Sequence, residues 1–258
     1  MTSDYINRLV SRRTWPSPPA GLTLAPGDVH VWRVPLDVAG WPDDLVHGGL
    51  SDEEVRRAHR FRFDADRRRF VVRHAALRKI LGSYLARPPA EIALSASANG
   101  KLFLDVRHAS RMAFNLSHSH ELALIALSAG ADVGVDVERV RPVPGLDGVT
   151  ARCFSGRERA ALSRVAAGPR LGAFFAAWTL KEAYVKACGD GLTRDLDRVE
   201  VAIGAERLTL VGVRDRPGDE DRFSVHALAP GDGYVGALVA EGRHHRIHRW
   251  RWQGEPQP

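Results

Sequence analysis

F-F-A-A-W-T-L-K-E-A-Y-V-K-A-C-G, residues 174 to 189, is apolar almost all round and ends on a glycine. Together with the residues from Leu171 onward it predicts a helix buried on nearly every side and stopped at Gly189, since glycine adopts the left-handed conformation that closes helices. Upstream, R-R-R-F-V-V-R-H-A-A-L-R-K-I-L-G, residues 67 to 82, reads as a similar helix stopped at Gly82. Before each lies an S-x-x-E pair, Ser51 with Glu54 and Ser155 with Glu158, the spacing at which the two side chains satisfy each other's helix-start amides. After each come alternating, turn-punctuated segments, E-I-A-L-S and K-L-F-L-D in one case, V-E-V-A-I and R-L-T-L-V in the other. A pair of apolar strands then closes each series, residues 114–130 and 223–242. The same order of elements runs twice, which predicts an α+β fold of two similar halves, residues 1–130 and 131–258, each a small antiparallel sheet packed with helices. Chance recurrence of helix and strand patterns is the alternative.

The remaining segments frame these halves. T-W-P-S-P-P-A-G-L-T-L-A-P-G, residues 14 to 27, is rich in proline and glycine and predicts an irregular N-terminal arm. Residues 214–222 read as a solvated loop, and the final E-P-Q-P is expected to fray. The chain has 258 residues with 37 Lys+Arg against 31 Asp+Glu, a formal charge of +6 that favours phosphate-bearing or acidic partners. Its two cysteines, Cys153 and Cys188, cannot build a disulfide framework or a four-cysteine zinc site, which fits a cytoplasmic protein. Charged residues at the start argue against a secretory leader, and the most apolar run, Leu122 to Ala129, is far shorter than the ~20 residues that cross a bilayer. A soluble protein with no membrane partner is expected.

Chemistry concentrates in a few places. V-G-V-D-V-E-R-V, residues 133 to 140, alternates as a strand, with Val133, Val135 and Val137 on one face and Asp136 and Glu138 on the other. Carboxylates sharing a face repel unless a cation lies between them, and oxygen ligands suit Mg²⁺; a polar edge meeting water is the plainer reading of D-x-E by itself. The apolar helix carries Lys181, Glu182 and Lys186, each costly to bury without a partner. Glu182 and Lys186 stand one turn apart and form either a simple helix pair, worth ~0.2–0.5 kcal/mol, or part of a site. Ser117, His118 and Ser119 interrupt an apolar strand with groups able to bond phosphate oxygens. Arginines, Arg69 and Arg73 among them, surround the first half's long helix, and Lys101 follows Asn99-Gly100 in a turn; each is either a phosphate contact or an ordinary solvated residue. An acidic cation-binding set inside a basic collar is equipment for chemistry on a phosphoanhydride.

These residues resemble the 4′-phosphopantetheinyl transferases. Gly134-Val135-Asp136-Val137-Glu138 matches the family's G-[IV]-D-x-E strand, and Trp178-Thr179-Leu180-Lys181-Glu182-Ala183-Tyr184-Val185-Lys186 its W-[ST]-x-K-E-[AS]-x-x-K helix. Phe114 to Ser119 is similar to F-N-[IL]-S-H-[ST], and Asn99-Gly100-Lys101 to a G-K-P turn, with Leu102 in place of the proline. The resemblance spans roughly residues 50 to 240, and the length points to the Sfp-type branch, a monomer whose two halves are related by a pseudo-twofold. It implies transfer of 4′-phosphopantetheine from coenzyme A to a serine of an acyl or peptidyl carrier protein, with 3′,5′-ADP leaving. It implies Mg²⁺ held by Asp136, Glu138 and Glu182, with Lys186 on the pyrophosphate and Glu182 as base. Ser117, His118, Arg69, Arg73, Lys101 and Lys181 become expected coenzyme A contacts, whereas Glu158 is either a metal or water contact or only a helix cap. A Mg²⁺-dependent nuclease and a non-catalytic nucleic-acid binder are the competing classes; the matched motifs argue against a nucleic-acid partner.

Overall fold

A computed structural model of the chain describes residues 14–37, 49–189, 195–203 and 208–254. Strand β1 (Asp28–Pro35) follows the arm of residues 14–27, which is irregular as expected. Helices α1 (Asp52–Ala58) and α2 (Asp64–Leu85) come next, then the short strands β2 (Leu94–Ala96) and β3 (Leu102–Leu104), then β4 (Ala113–Ser119) and β5 (Leu122–Ser128). The second series has β6 (Val133–Arg139), α3 (Leu146–Cys153), α4 (Gly156–Ser163), α5 (Ala167–Cys188), β7 (Val199–Ile203) and β8 (Leu208–Val213). It closes with the one-turn α6 (Asp219–Arg222), β9 (Phe223–Leu228), β10 (Tyr234–Glu241) and β11 (Arg246–Arg251).

The short helix ahead of each long one, α1 and α4, starts from the same local chemistry. Ser51 and Ser155 each accept the amide of the glutamate three residues on, and Glu54 and Glu158 each reach back to the serine's own amide, two complete capping boxes. Two sheets result, ordered β11-β1-β5-β4 and β6-β10-β9, with β2-β3 and β7-β8 as separate hairpins. Within each larger sheet the first strand of the series pairs antiparallel with the last, and the last with the one before it. Strand β11 breaks the parallel between the series. It leaves the second series and pairs with β1 of the first, residue for residue from Asp28↔Arg246 to Arg33↔Arg251.

Alternation along the strands then assigns the layers. Val29 and Val31 of the first sheet meet Val133, Val135, Val137 and Leu238 of the second in one buried cluster, so the two sheets lie face to face. The opposite face of the first sheet, through Trp32, Ile125 and Leu127, covers Leu77, Ile80 and Leu81 of α2. On the second sheet, Val235, Ala237 and Val239 cover Phe175, Leu180 and Ala183 of α5. The order is helix, sheet, sheet, helix.

Two features of α2 differ from expectation. Gly82 does not end the helix, which runs on to Leu85 and is capped by Ala86 in the left-handed region at φ 50°. Gly82 is required for space instead: a Cβ there would lie 2.6 Å from the carbonyl oxygen of Arg87, where the chain doubles back. Gly189 does end α5, at φ 75°. Among the described residues no helix is long and apolar enough to cross a membrane.

Candidate active site

The centre of the molecule is the line where β4, an edge of the first sheet, lies beside β6, an edge of the second. Two edges that do not share a backbone ladder leave amide groups to satisfy. Side chains do this here. Asn115 Oδ1, Ser117 Oγ and Ser119 Oγ accept, in turn, the amides of Val135, Val137 and Arg139 at 3.0, 3.4 and 3.2 Å. The two serine hydroxyls then donate onward to the carboxylates of β6, Ser117 to Asp136 Oδ1 and Ser119 to Glu138 Oε2, both at 2.7 Å. Ser117 and Ser119 therefore orient the acidic pair. The polar alternation N-x-S-x-S held the signal for Asn115, which sequence reasoning did not place in the site, and Ser119, read there as a group able to bond phosphate oxygens, holds Glu138.

Helix α5 crosses β6 on its carboxylate face, and Gly134 sets how closely. A Cβ at Gly134 would lie 2.0 Å from the Ala183 carbonyl oxygen and 2.3 Å from the Ala187 amide nitrogen, so no other residue fits without pushing the helix away. This contact brings Glu182 and Lys186 over the strand. Lys186 Nζ does not pair with Glu182; it donates to Asp136 Oδ1 at 2.5 Å and to Ser117 Oγ at 3.0 Å, joining both series of elements. Asp136 is 4% exposed, and its other oxygen, Oδ2, is buried with no hydrogen-bond partner.

Electrostatics marks the same place. Burial, followed by the charge of Asp136 and then of Glu138, pushes the Glu182 carboxyl above the ordinary range against the opposing pull of Lys186. Glu138 is raised in the same way by burial and Asp136, although Ser119 and Lys186 oppose the shift. Three carboxylates around one lysine leave an excess of negative charge in a desolvated space. With oxygen donors only and one buried oxygen unanswered, the set fits a hard divalent cation such as Mg²⁺. The carboxylates are neighbours and not a closed cage; among the described residues, the group of such side chains with ligand atoms all within 4.8 Å of one another is Asp28, His30 and His248.

A cationic group adjoins the acidic one. Arg73 Nη1 donates to His118 Nε2 at 2.8 Å, and its guanidinium lies 5.0 Å from the centre of the Phe70 ring. The surrounding protein desolvates the His118 imidazole and, with the charges of Arg73 and Lys186, brings its pKa down to about 4. His118 is exposed, so the neighbouring cations, and not burial alone, hold it down. Burial and then Arg57 lower Arg73 itself to about 10.

Other expected site residues stand elsewhere. Lys181 is 0% exposed, and its ammonium donates to Glu158 Oε2 at 2.7 Å, to the Cys153 carbonyl at 2.9 Å and to the Leu196 carbonyl at 3.1 Å. The expectation that it binds coenzyme A is thereby corrected, because a fully enclosed ammonium with three acceptors has nothing left to offer a ligand. Glu158 is its counter-charge and helix cap and also accepts the Val201 amide, so it does not join the carboxylate cluster. Position for position along the two 22-residue helices, Lys181 answers to Arg78, which is buried on the other capping glutamate, Glu54, at 2.6 Å. Although burial works to raise Glu54, the bonds from His74 and the Ser51 amide and the charge of Arg78 bring it down to about 2. Arg69 forms a two-pronged pair with Asp37 at 3.0 and 2.5 Å. Lys101 reaches over from the β2-β3 turn to the carbonyl of Ala187, where a cation favours a helix C-terminus.

A family model described as the 4′-phosphopantetheinyl transferase superfamily matches residues 132–239, and one described as 4′-phosphopantetheinyl transferase, N-terminal, matches residues 44–130. A 4′-phosphopantetheinyl transferase of Nostoc sp., HetI, is 39% identical over 232 residues, covering 90% of this chain and 95% of that protein. The chain belongs to the 4′-phosphopantetheinyl transferase superfamily. A phosphopantetheinyl transferase of Thraustochytrium sp. is 33% identical, covering 74% of this chain and 72% of its own. A Synechocystis sp. relative named as a transferase of the same kind is also 33% identical, over 66% of this chain and 68% of its own. This phosphopantetheinyl transferase carries its acidic residues in the stretch matched by the superfamily model and its Arg73, Ser117 and His118 in the stretch matched by the N-terminal one.

Proposed function

We propose that the β4-β6 seam takes coenzyme A as donor and directs its 4′-phosphopantetheine arm onto a serine of an acyl or peptidyl carrier protein, releasing 3′,5′-ADP. The observation that carries this assignment of the site is the unanswered Asp136 Oδ2 inside a group of three carboxylates, of which Asp136 and Glu182 are buried and Glu138 is half-buried. Held by Asp136, Glu138 and Glu182, a Mg²⁺ ion would neutralise charge on the donor's pyrophosphate and orient it. Lys186 binds phosphate oxygens beside that position. Glu182 Oε accepts the proton of the serine hydroxyl as its oxygen attacks the β-phosphorus and the bond to the 3′,5′-ADP phosphate breaks. Arg73 and His118 bind the donor's 3′-phosphate. A depression of about 670 Å³ next to them, lined by Glu53, Arg56, Arg57, Arg60 and Phe61, adds cationic surface for the donor or for an acidic carrier protein.

Intact-mass spectrometry of an apo carrier protein incubated with the enzyme, Mg²⁺ and either coenzyme A or its dephospho form tests this reading. Conversion to the holo mass is expected with coenzyme A. With the dephospho donor, loss of charge-assisted bonds worth ~1.5–3 kcal/mol each predicts an apparent affinity roughly tenfold to a few hundredfold weaker. Arg73→Ala is expected to erase most of that discrimination. No mass change with coenzyme A would overturn the proposed donor, and equal use of both donors would overturn the role of Arg73.

A further inference from the structure

The strand that breaks the parallel between the two series builds a second constellation. Because β11 lies in parallel register with β1, His30 stands opposite His248 and Asp28 opposite Arg246, so Asp28, His30 and His248 share one face of the sheet. Their ligand atoms all lie within 4.8 Å of one another, and Asp28 Oδ1 is 3.6 Å from His248 Nε2. Ligands bonded at ~2.0–2.1 Å to one tetrahedral ion stand roughly 3.3 Å apart. The Asp28–His248 pair is nearly at that spacing already, and His30 lies within reach of it. We infer that this is a metal site separate from the carboxylate cluster, in which two imidazoles and one carboxylate take a divalent ion of the zinc type and clip β11 to β1.

The donor set and its surroundings support the choice of ion. Imidazole nitrogens with a single carboxylate suit Zn²⁺, Co²⁺ or Ni²⁺, whereas Mg²⁺ prefers oxygen ligands. His30 is 2% exposed, and a neutral imidazole is the form that donates a lone pair to an ion. Its Nδ1 is hydrogen-bonded to the Tyr84 hydroxyl at 2.6 Å, which leaves Nε2 for an ion; an outer partner of this kind fixes a metal-binding imidazole. His248 is stacked on Trp250 with its side chain 39% exposed, which gives an ion a way in and leaves room for water as a fourth ligand. Two contacts on Asp28 compete. The Ala25 amide donates to Asp28 Oδ2 at 3.2 Å. Arg246 donates through Nε to Asp28 Oδ1 at 2.7 Å and through Nη2 to the Pro26 carbonyl at 3.1 Å, but its side chain is 66% exposed and can turn into solvent.

The test uses the full, tag-free chain, stripped with chelator and titrated with ZnCl₂ or CoCl₂ in millimolar Mg²⁺, read by calorimetry and by the visible absorption of Co²⁺. One tight equivalent is expected, with the intense bands of four-coordinate cobalt and a Zn²⁺-dependent rise in Tm. His248→Gln, a change at a half-exposed ligand that the fold tolerates, is expected to weaken binding roughly 100-fold or more and to abolish the rise in Tm. His30→Gln should do the same, Arg246→Gln should tighten binding, and His244→Gln, at a neighbouring exposed histidine, should change nothing. Binding equally tight in wild type and His248→Gln, or no stoichiometric binding in wild type, would overturn the site.

Discussion

Asp136 offers one oxygen to Lys186 and Ser117 and leaves the other buried without a partner, and this asymmetry is the basis of the site. Its charge also raises Glu138 and Glu182, from which a stability effect follows. A carboxyl raised in the folded state ionises more easily in the unfolded chain; its stabilising contribution is present at low pH and is lost as pH rises through the raised value. In EDTA, Glu182→Gln should therefore melt at a higher temperature than wild type near neutral pH, with the gap closing as pH falls toward the ordinary glutamate value. Added Mg²⁺ should raise the melting temperature of wild type and not of the variant. Thermal melts across pH with and without the ion measure both, and a variant less stable than wild type in EDTA at neutral pH would contradict the account. At this scale the sequence was legible for Asp136, Glu138, Glu182 and Lys186, because a strand's alternation and a helix's turn say which residues share a face. It was not legible for Lys181. That residue adjoins Glu182 in the chain but points to a different neighbour, and its partner Glu158 lies 23 positions away in another helix, read as either a metal or water contact or a helix cap.

Among the elements, α5 and β6 act as one device held together by the missing side chain of Gly134. Gly134→Ala puts a methyl group where the backbone of α5 now lies. Overpacking of this kind costs about 1–3 kcal/mol, and the helix must move off the strand that carries Asp136 and Glu138. Transfer activity is expected to fall by at least about tenfold in protein that still folds by circular dichroism, because a small displacement of catalytic groups is expensive. Full activity at unchanged stability would show that the close approach does not matter. Both helix starts were legible, since a capping box is chemistry between near neighbours, and Gly189 was legible as a helix end. Gly82 was misread because a glycine after an apolar helix signals a stop equally well when it is needed for the approach of a distant carbonyl. The zipper of Asn115, Ser117 and Ser119 onto β6 was illegible for a similar reason: an edge-to-edge contact between two sheets is a tertiary fact.

For the molecule as a whole, the repeated order of elements foretold two small sheets packed with helices. It did not foretell that the sheets pack face to face, or that β11 returns from the end of the chain to lie beside β1. Nothing local to residues 246–251 names β1 as their partner. A site whose acidic residues lie on β6 and α5 and whose serines lie on β4 is assembled within one chain, and we expect the enzyme to be a monomer. Light scattering at assay concentration should give the mass of a single chain, and an obligate trimer would contradict this expectation.

The most direct measurement of the central claim is the rate of carrier-protein conversion followed by mass spectrometry for wild type, Asp136→Ala, Glu138→Ala and Glu182→Ala. Each enzyme is assayed in EDTA and again in saturating Mg²⁺, with folding checked by circular dichroism. If the three carboxylates hold a cation that the transfer requires, wild type is inactive in EDTA and restored by Mg²⁺. Asp136→Ala and Glu182→Ala then stay at least about 100-fold slower at any Mg²⁺ concentration. A wild type that works equally well in EDTA, or a folded Asp136→Ala variant with full activity, would contradict it.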